Sequence, residues 1–264
     1  MALPTRWNWF VRGFRRYVHR YVRKHFHAVR LSKTSSPLPA DDTPVLAVMN
    51  HPSWWDPMIG IVATDLFPGY AHYAAIDAAM LKKYWAFNKL GFFGVDQTSL
   101  RGAAEFLRTG AEILGGDKRA VWVTAQGEFA DVRTRPLNLR PGVGHLAARL
   151  TRGWVVPIAV EYSFWTESKP EALVRIGEVL PLVSREAEAS ASKAWTARIE
   201  AALTASLDAL NAETQSRDPA RFTELLGGTA GVGGVYDAFR RGVAFVRGEK
   251  FDPSHMATTA EKPA

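Results

Sequence analysis

The chain has 264 residues, enough for one sizeable hydrophobic core and too few for two full domains of ordinary size. It contains no cysteine, which excludes disulfides, thiolate metal sites and a cysteine nucleophile together, and which suits a reducing, cytoplasmic setting. The net charge of +7 is concentrated at one end: nine of the 33 cations lie in residues 1–33 with no acid among them, leaving 24 cations against 26 acids elsewhere. A slightly acidic body argues against a nucleic-acid-binding face and assigns an anionic partner, a membrane surface, to the N-terminal arm.

In that arm the apolar residues Trp9, Phe10, Phe14, Tyr17, Val18, Tyr21, Val22 and Phe26 recur at steps of three and four between Arg, Lys and His. The spacing predicts an amphipathic helix over residues 7–29, with rings suited to the headgroup boundary and cations to anionic lipid. Its bland counterpart is a helix packed on the domain's own core, and the two roles are compatible. No stretch approaches the ~18 consecutive apolar residues of a spanning helix, and no apolar signal-peptide core follows the basic start. The expectation is a peripheral protein on the cytoplasmic face of a membrane. Residues 1–34 are read as the membrane-association segment, 35–225 as the catalytic domain, and 226–264 as a glycine-rich connector, a short basic helix over 235–246 and a flexible tail.

A proline-punctuated linker with Pro37, Pro39 and Pro44 opens the central region. Short β-like runs then alternate with helical ones. Strands are predicted at Val45–Met49, 70–75, Phe92–Val95, 120–124, 155–160 and around Val174–Leu180, and helices near 78–89, Leu100–Leu114, 143–150 and 189–210. This alternation reads as an α/β fold, a single largely parallel sheet flanked by helices. The glycines from Gly227 to Gly234 lack the Lys-Ser or Lys-Thr of a phosphate loop and read as a connector.

The run Asn50-His51-Pro52-Ser53-Trp54-Trp55-Asp56 stands directly after the apolar strand 45–49, so His51 emerges at the strand edge where open α/β sheets bind ligands. If a helical turn begins at Pro52 or Ser53, the Asp56 carboxylate folds back toward the imidazole. An aspartate on one ring nitrogen fixes the tautomer and leaves the other nitrogen to take a proton. A capping aspartate beside a structural histidine is the bland alternative, and no second histidine stands at metal-ligand spacing.

With those residues the chain resembles the glycerolipid acyltransferase superfamily, which includes the lysophosphatidic acid acyltransferases, over residues 45–176. Its first block, Asn-His-four residues-Asp, is matched by Asn50, His51 and Asp56. Its second, a glycine-rich aromatic run ending in an acid and an arginine, is similar to residues 91–97, with Gln97 where the family has arginine. Its third, Pro-Glu-Gly-Thr-Arg, aligns with Ala125-Gln126-Gly127-Glu128-Phe129, which keeps only the glycine, and its fourth with 155–160 around Pro157.

The resemblance implies a groove for an acyl chain, acyl-CoA or acyl carrier protein as co-substrate, no further cofactor and no metal. It implies His51 and Asp56 as the catalytic pair, and the family's two arginines as holders of the acceptor's phosphate. Neither Gln97 nor Phe129 offers a guanidinium fork, so the acceptor is expected either to lack that phosphate or to meet a cationic pocket shifted onto Arg101, Arg133, Arg135 or Arg140. Asn50, Gln97, Gln126 and Gly127 complete the expected substrate-binding set. The expected reaction moves a fatty acyl group from a thioester to a hydroxyl of a lysophospholipid or related lipid. A sugar-, amino-acid- or isoprenoid-based acceptor comes second. A membrane-bound scaffold without activity and a lipid hydrolase are the rivals.

Overall fold

The computed structural model describes residues 3–182 and 191–229. Helix α1 (Asn8–His25) leads into strand β1 (Ala28–Ser32), followed by β2 (Val45–Met49), α2 (Asp56–Ala63), β3 (Ala71–Asp77), α3 (Ala78–Lys83), β4 (Phe92–Val95), α4 (Leu100–Leu114), β5 (Arg119–Thr124), α5 (Gly142–Ala147), β6 (Trp154–Ser163), β7 (Glu171–Ile176), β8 (Leu180–Pro181), α6 (Ala191–Gln215) and β9 (Phe222–Gly227). The strands form one sheet in the order β4-β3-β5-β2-β6-β7-β1-β9, with β8 paired to β6. The pairings from β4 through to β6 are all parallel, and antiparallel contacts enter at β6–β7, β6–β8 and β1–β9.

The unbroken apolar run of β2 follows from its central place. Leu46 and Val48 enter one core beside Phe106, Leu146 and Leu207, while Val45, Ala47 and Met49 enter another beside Val18, Ile59 and Val62. A strand covered on both faces has no solvent side to leave polar. Helices α4, α5 and α6 cover one face, and α1 and α2 the other. Cutting a fully buried residue such as Leu207 or Ile59 back to alanine costs roughly 2–5 kcal/mol. The α5–α6 crossing needs Gly144, because a Cβ there would sit 2.0 Å from the Thr196 hydroxyl oxygen.

The N-terminal segment differs from its expectation. The helix ends at His25, and residues 28–32 form β1 inside the sheet between β7 and β9. Glu171 of β7, almost fully buried, fastens this strand: it accepts from Arg30 Nε at 2.9 Å and lies 2.5 Å from His27 Nδ1. That carboxylate raises the His27 imidazole above its ordinary range. The arm is therefore part of the fold, and no boundary at residue 34 separates it from the sheet. On α1, Val18 and Val22 are buried against α2, whereas Trp9 and Tyr17 are exposed, so two stripes of one helix serve two surroundings. The basic helix predicted at 235–246 and the tail lie outside the described residues, as does most of the glycine-rich connector.

Candidate active site

Strand β2 lies between β5 and β6, parallel to both, so the carboxyl ends of three neighbouring strands open at one edge. The loops that leave β2 and β5, together with the last residues of β6, surround His51.

Asn50 fastens the first of these loops. Its side-chain amide donates to the Val160 carbonyl at 2.9 Å and accepts from the Val160 N–H at 2.7 Å, extending the β2–β6 ladder by one peptide-like rung. The backbone of His51 is held from the other side. Its N–H donates to Gln126 Oε1 at 2.8 Å, its carbonyl accepts from Ala130 N–H at 3.0 Å, and Gln126 in turn donates to the Leu137 carbonyl at 3.3 Å. Asn50 and Gln126 are both buried. Asn50 ties the loop to β6 and Gln126 holds the His51 N–H, so the polar atoms of both are engaged within the fold.

Asp56 is the first residue of α2, where a negative charge suits the helix start. Its buried carboxylate lies 2.5 Å through Oδ2 from His51 Nδ1, and the same oxygen accepts from the Ser53 N–H at 3.0 Å. The second oxygen accepts from the Tyr162 hydroxyl at 2.6 Å. Burial, reinforced by the adjoining carboxylate, pushes the Tyr162 phenol well above its usual range, so it is a donor throughout the physiological span. Three donors on Asp56 orient it, Asp56 orients the ring, and His51 Nε2 is left to exchange a proton.

Tyr162 is the residue that sequence reasoning missed. It lies 106 positions from Asp56, and its sole local sign is a position just past the apolar part of β6. The end of α1 braces the same structure: Phe26 packs on Trp55 at 4.9 Å and on Tyr162 at 5.8 Å between ring centroids, and Tyr21 packs on Trp55 at 5.5 Å.

The remaining expected residues separate into two groups. Gln97 and Gly127 do come together: Gly127 has φ +73°, and a Cβ there would lie 2.9 Å from Gln97 Oε1 and 3.1 Å from the Arg140 side chain. The loop bearing Gln97 is set by Asp96, whose carboxyl is lowered to about 2 by the Ser99 and Thr98 hydroxyls. By contrast, Arg133 forms a two-pronged pair with Asp131, with Nε and one terminal nitrogen at 2.8 and 2.7 Å, and holds that carboxyl well below its usual range. Arg135 donates to Asp208 and to the carbonyls of Val132 and Thr134. Both arginines fasten the loop after β5 in the structure. Arg101 is exposed on the first turn of α4, with no described contact to the His51 loop. A cavity of about 260 Å³ at Pro141, His145, Ser192 and Thr196 contains none of the site residues.

The profile of the acyltransferase family matches residues 25–161, more than half of the chain, and the chain belongs to that family. Among solved structures, the 1-acyl-sn-glycerophosphate (LPA) acyltransferase PlsC from Thermotoga maritima is similar with a TM-score of 0.50 and 14% identity, over 76% of this chain and 78% of that one, a likeness of fold. No curated protein sequence matches the chain. The match region includes β2, the His51–Asp56 loop and the loop after β5.

Proposed function

We propose that this acyltransferase moves a fatty acyl group from the thioester of acyl-CoA or acyl carrier protein to the hydroxyl of a lipid. The observation that carries the reading is the 2.5 Å contact between His51 Nδ1 and a buried, threefold-held Asp56, at the carboxyl ends of three parallel strands. The acceptor oxygen attacks the thioester carbonyl carbon as its proton passes to His51 Nε2. The tetrahedral adduct then collapses, the C–S bond breaks, and the sulfur leaves with the proton returned by the imidazolium. Ester and free thiol are the products, His51 regains its starting state, and no covalent enzyme intermediate is needed. Family membership and the fold shared with a lysophosphatidic acid acyltransferase support a lipid acceptor.

The substrate side of this reading is a membrane surface. Helix α1 exposes Trp9 and Tyr17 together with Arg12, Arg16, Arg20 and Arg23, and Tyr84 and Trp85 are exposed on the segment that meets it through Phe14 and Phe87. Such rings suit the headgroup boundary, and each cation near anionic lipid contributes about 1 kcal/mol. Among the described residues no helix is long and apolar enough to cross a membrane. Peripheral association on the cytoplasmic side is the proposal.

Incubation of wild type and His51→Ala with acyl-CoA or acyl carrier protein donors and a total lipid extract tests the reaction by mass spectrometry. A lipid that gains one acyl mass with wild type alone supports it, and equal products from both proteins oppose it. Membrane binding is read by sedimentation with anionic vesicles. A chain beginning at Leu38 would lack β1 and so disturb the sheet, whereas Trp9→Gln with Arg12→Gln and Arg16→Gln alters only exposed positions. Unchanged sedimentation of that triple variant would remove α1 from the interface.

A further inference from the structure

We propose that Phe129 selects an uncharged lipid alcohol as the acceptor, a narrowing that rests on the transferase reading above. The Phe129 ring lies 4.5 Å from the His51 imidazole, centroid to centroid, at an interplanar angle of 50°. It is nevertheless 61% exposed, so part of the ring adjoins the imidazole and the rest is bare to an incoming molecule. Two features set it there. The left-handed Gly127 turns the chain after β5, and the Ala130 N–H holds the far side of the turn to the His51 carbonyl. Trp54, 58% exposed in the loop that carries His51, adds a second bare apolar surface.

The charges around this wall point the same way. From Ala125 to Asp131 the loop carries two acids, Glu128 and Asp131, and no cation. The cations that follow are turned to other tasks: Arg133 is clamped on Asp131, and Arg135 on Asp208 and two carbonyls. Arg140 rests along Gly127 with Nε toward the Gln126 carbonyl at 3.4 Å and has no carboxylate partner among the described residues. An acceptor phosphate beside the reacting hydroxyl would lose hydration against Phe129, a side chain with no donor to replace it. Arg140 has no described contact with His51 or Phe129, and a variant of its own tests it below. An uncharged alcohol loses no such hydration, and its apolar body gains from covering the ring. The proposal places an uncharged acceptor ahead of the lysophospholipid that stood first in the reading of the sequence.

The experiment compares matched acceptors, a monoacylglycerol and the lysophosphatidic acid with the same acyl chain, in mixed micelles with acyl-CoA and acyl carrier protein donors. The phosphate-free and phosphate-bearing fractions of a total lipid extract are run in parallel with labelled donor. Wild type is expected to favour the monoacylglycerol at least tenfold in kcat/KM, or, if it takes neither pure acceptor, to place label only in the phosphate-free fraction. Phe129→Leu keeps the preference, and Phe129→Arg shifts the ratio toward lysophosphatidic acid at least tenfold. Arg140→Ala leaves it in place.

Preference of wild type for the phosphate-bearing acceptor or fraction overturns the proposal while leaving the transferase intact. A ratio untouched by Phe129→Arg, or one that moves with Arg140→Ala, removes Phe129 as the selector. Label in no lipid, with wild type and His51→Ala alike, is the separate failure of the transferase itself.

Discussion

The loops after β2 and β5 face each other across His51 and are built on different logic. The first is local: His51, Ser53 and Asp56 lie within six residues, and the start of α2 closes the ring–carboxylate contact. The second is distributed: Gln126 reaches across to the His51 N–H, Ala130 to its carbonyl, and Arg135 out to Asp208 on α6. One loop holds His51 and the other holds the loop that carries it. A pair of neighbours in sequence can thus be oriented by a loop whose own contacts are long-range.

Substitutions sharpen this contrast by their expected ranking. His51→Ala removes the proton acceptor and is expected to lower kcat/KM about 10³-fold, with some loss of thermal stability because buried Asp56 keeps only two of its three donors. Asp56→Asn keeps the size but loses the charge and one of the two acceptor oxygens, for a loss of about 10²-fold in kcat. Gln126→Ala leaves the buried His51 N–H unpaired; a tenfold loss of activity, on the order of 1–3 kcal/mol of stability, and recovery with Gln126→Glu are expected. If Gln126→Ala kept full activity, the β5 loop would have no part in positioning His51.

Tyr162→Phe removes one of three donors from Asp56 and tests the brace from β6. A fall of about fivefold in kcat, with KM for both substrates within twofold, is the mark of positioning, since the buried phenol acts through Asp56. A change in KM alone would assign Tyr162 to binding. The smallest effect is expected from Arg133→Ala, within about twofold in steady-state kinetics, because its partner Asp131 is exposed on the same turn. A tenfold rise in acceptor KM would instead make Arg133 a substrate ligand.

Where one element carried its own signal, the sequence was sufficient. Val45–Met49 and Leu100–Leu114 match β2 and α4 end for end, because a doubly buried strand is continuously apolar and α4 has both helical spacing and a Ser99 cap whose hydroxyl accepts from the Gly102 N–H. β1 and β9 escaped notice, since residues 28–32 follow α1 without a turn residue and become a strand through pairing with β7 and β9. In the site, the His51–Asp56 pair was legible because only four residues stand between its members. The Tyr162 brace and the engagement of Asn50, Gln126 and Arg135 depend on partners 106, 110, 75 and 73 positions away. No local pattern reports such distances.

The central claim is that His51 directs an acyl group to a lipid hydroxyl and not to water. The most direct measurement is the ratio of acylated lipid and of free fatty acid to thiol released in a single reaction with lipid present. The account expects one acylated lipid for each thiol in wild type, and neither product above background with His51→Ala. Fatty acid in place of acylated lipid, indifferent to added acceptor, would contradict it and make the protein a hydrolase.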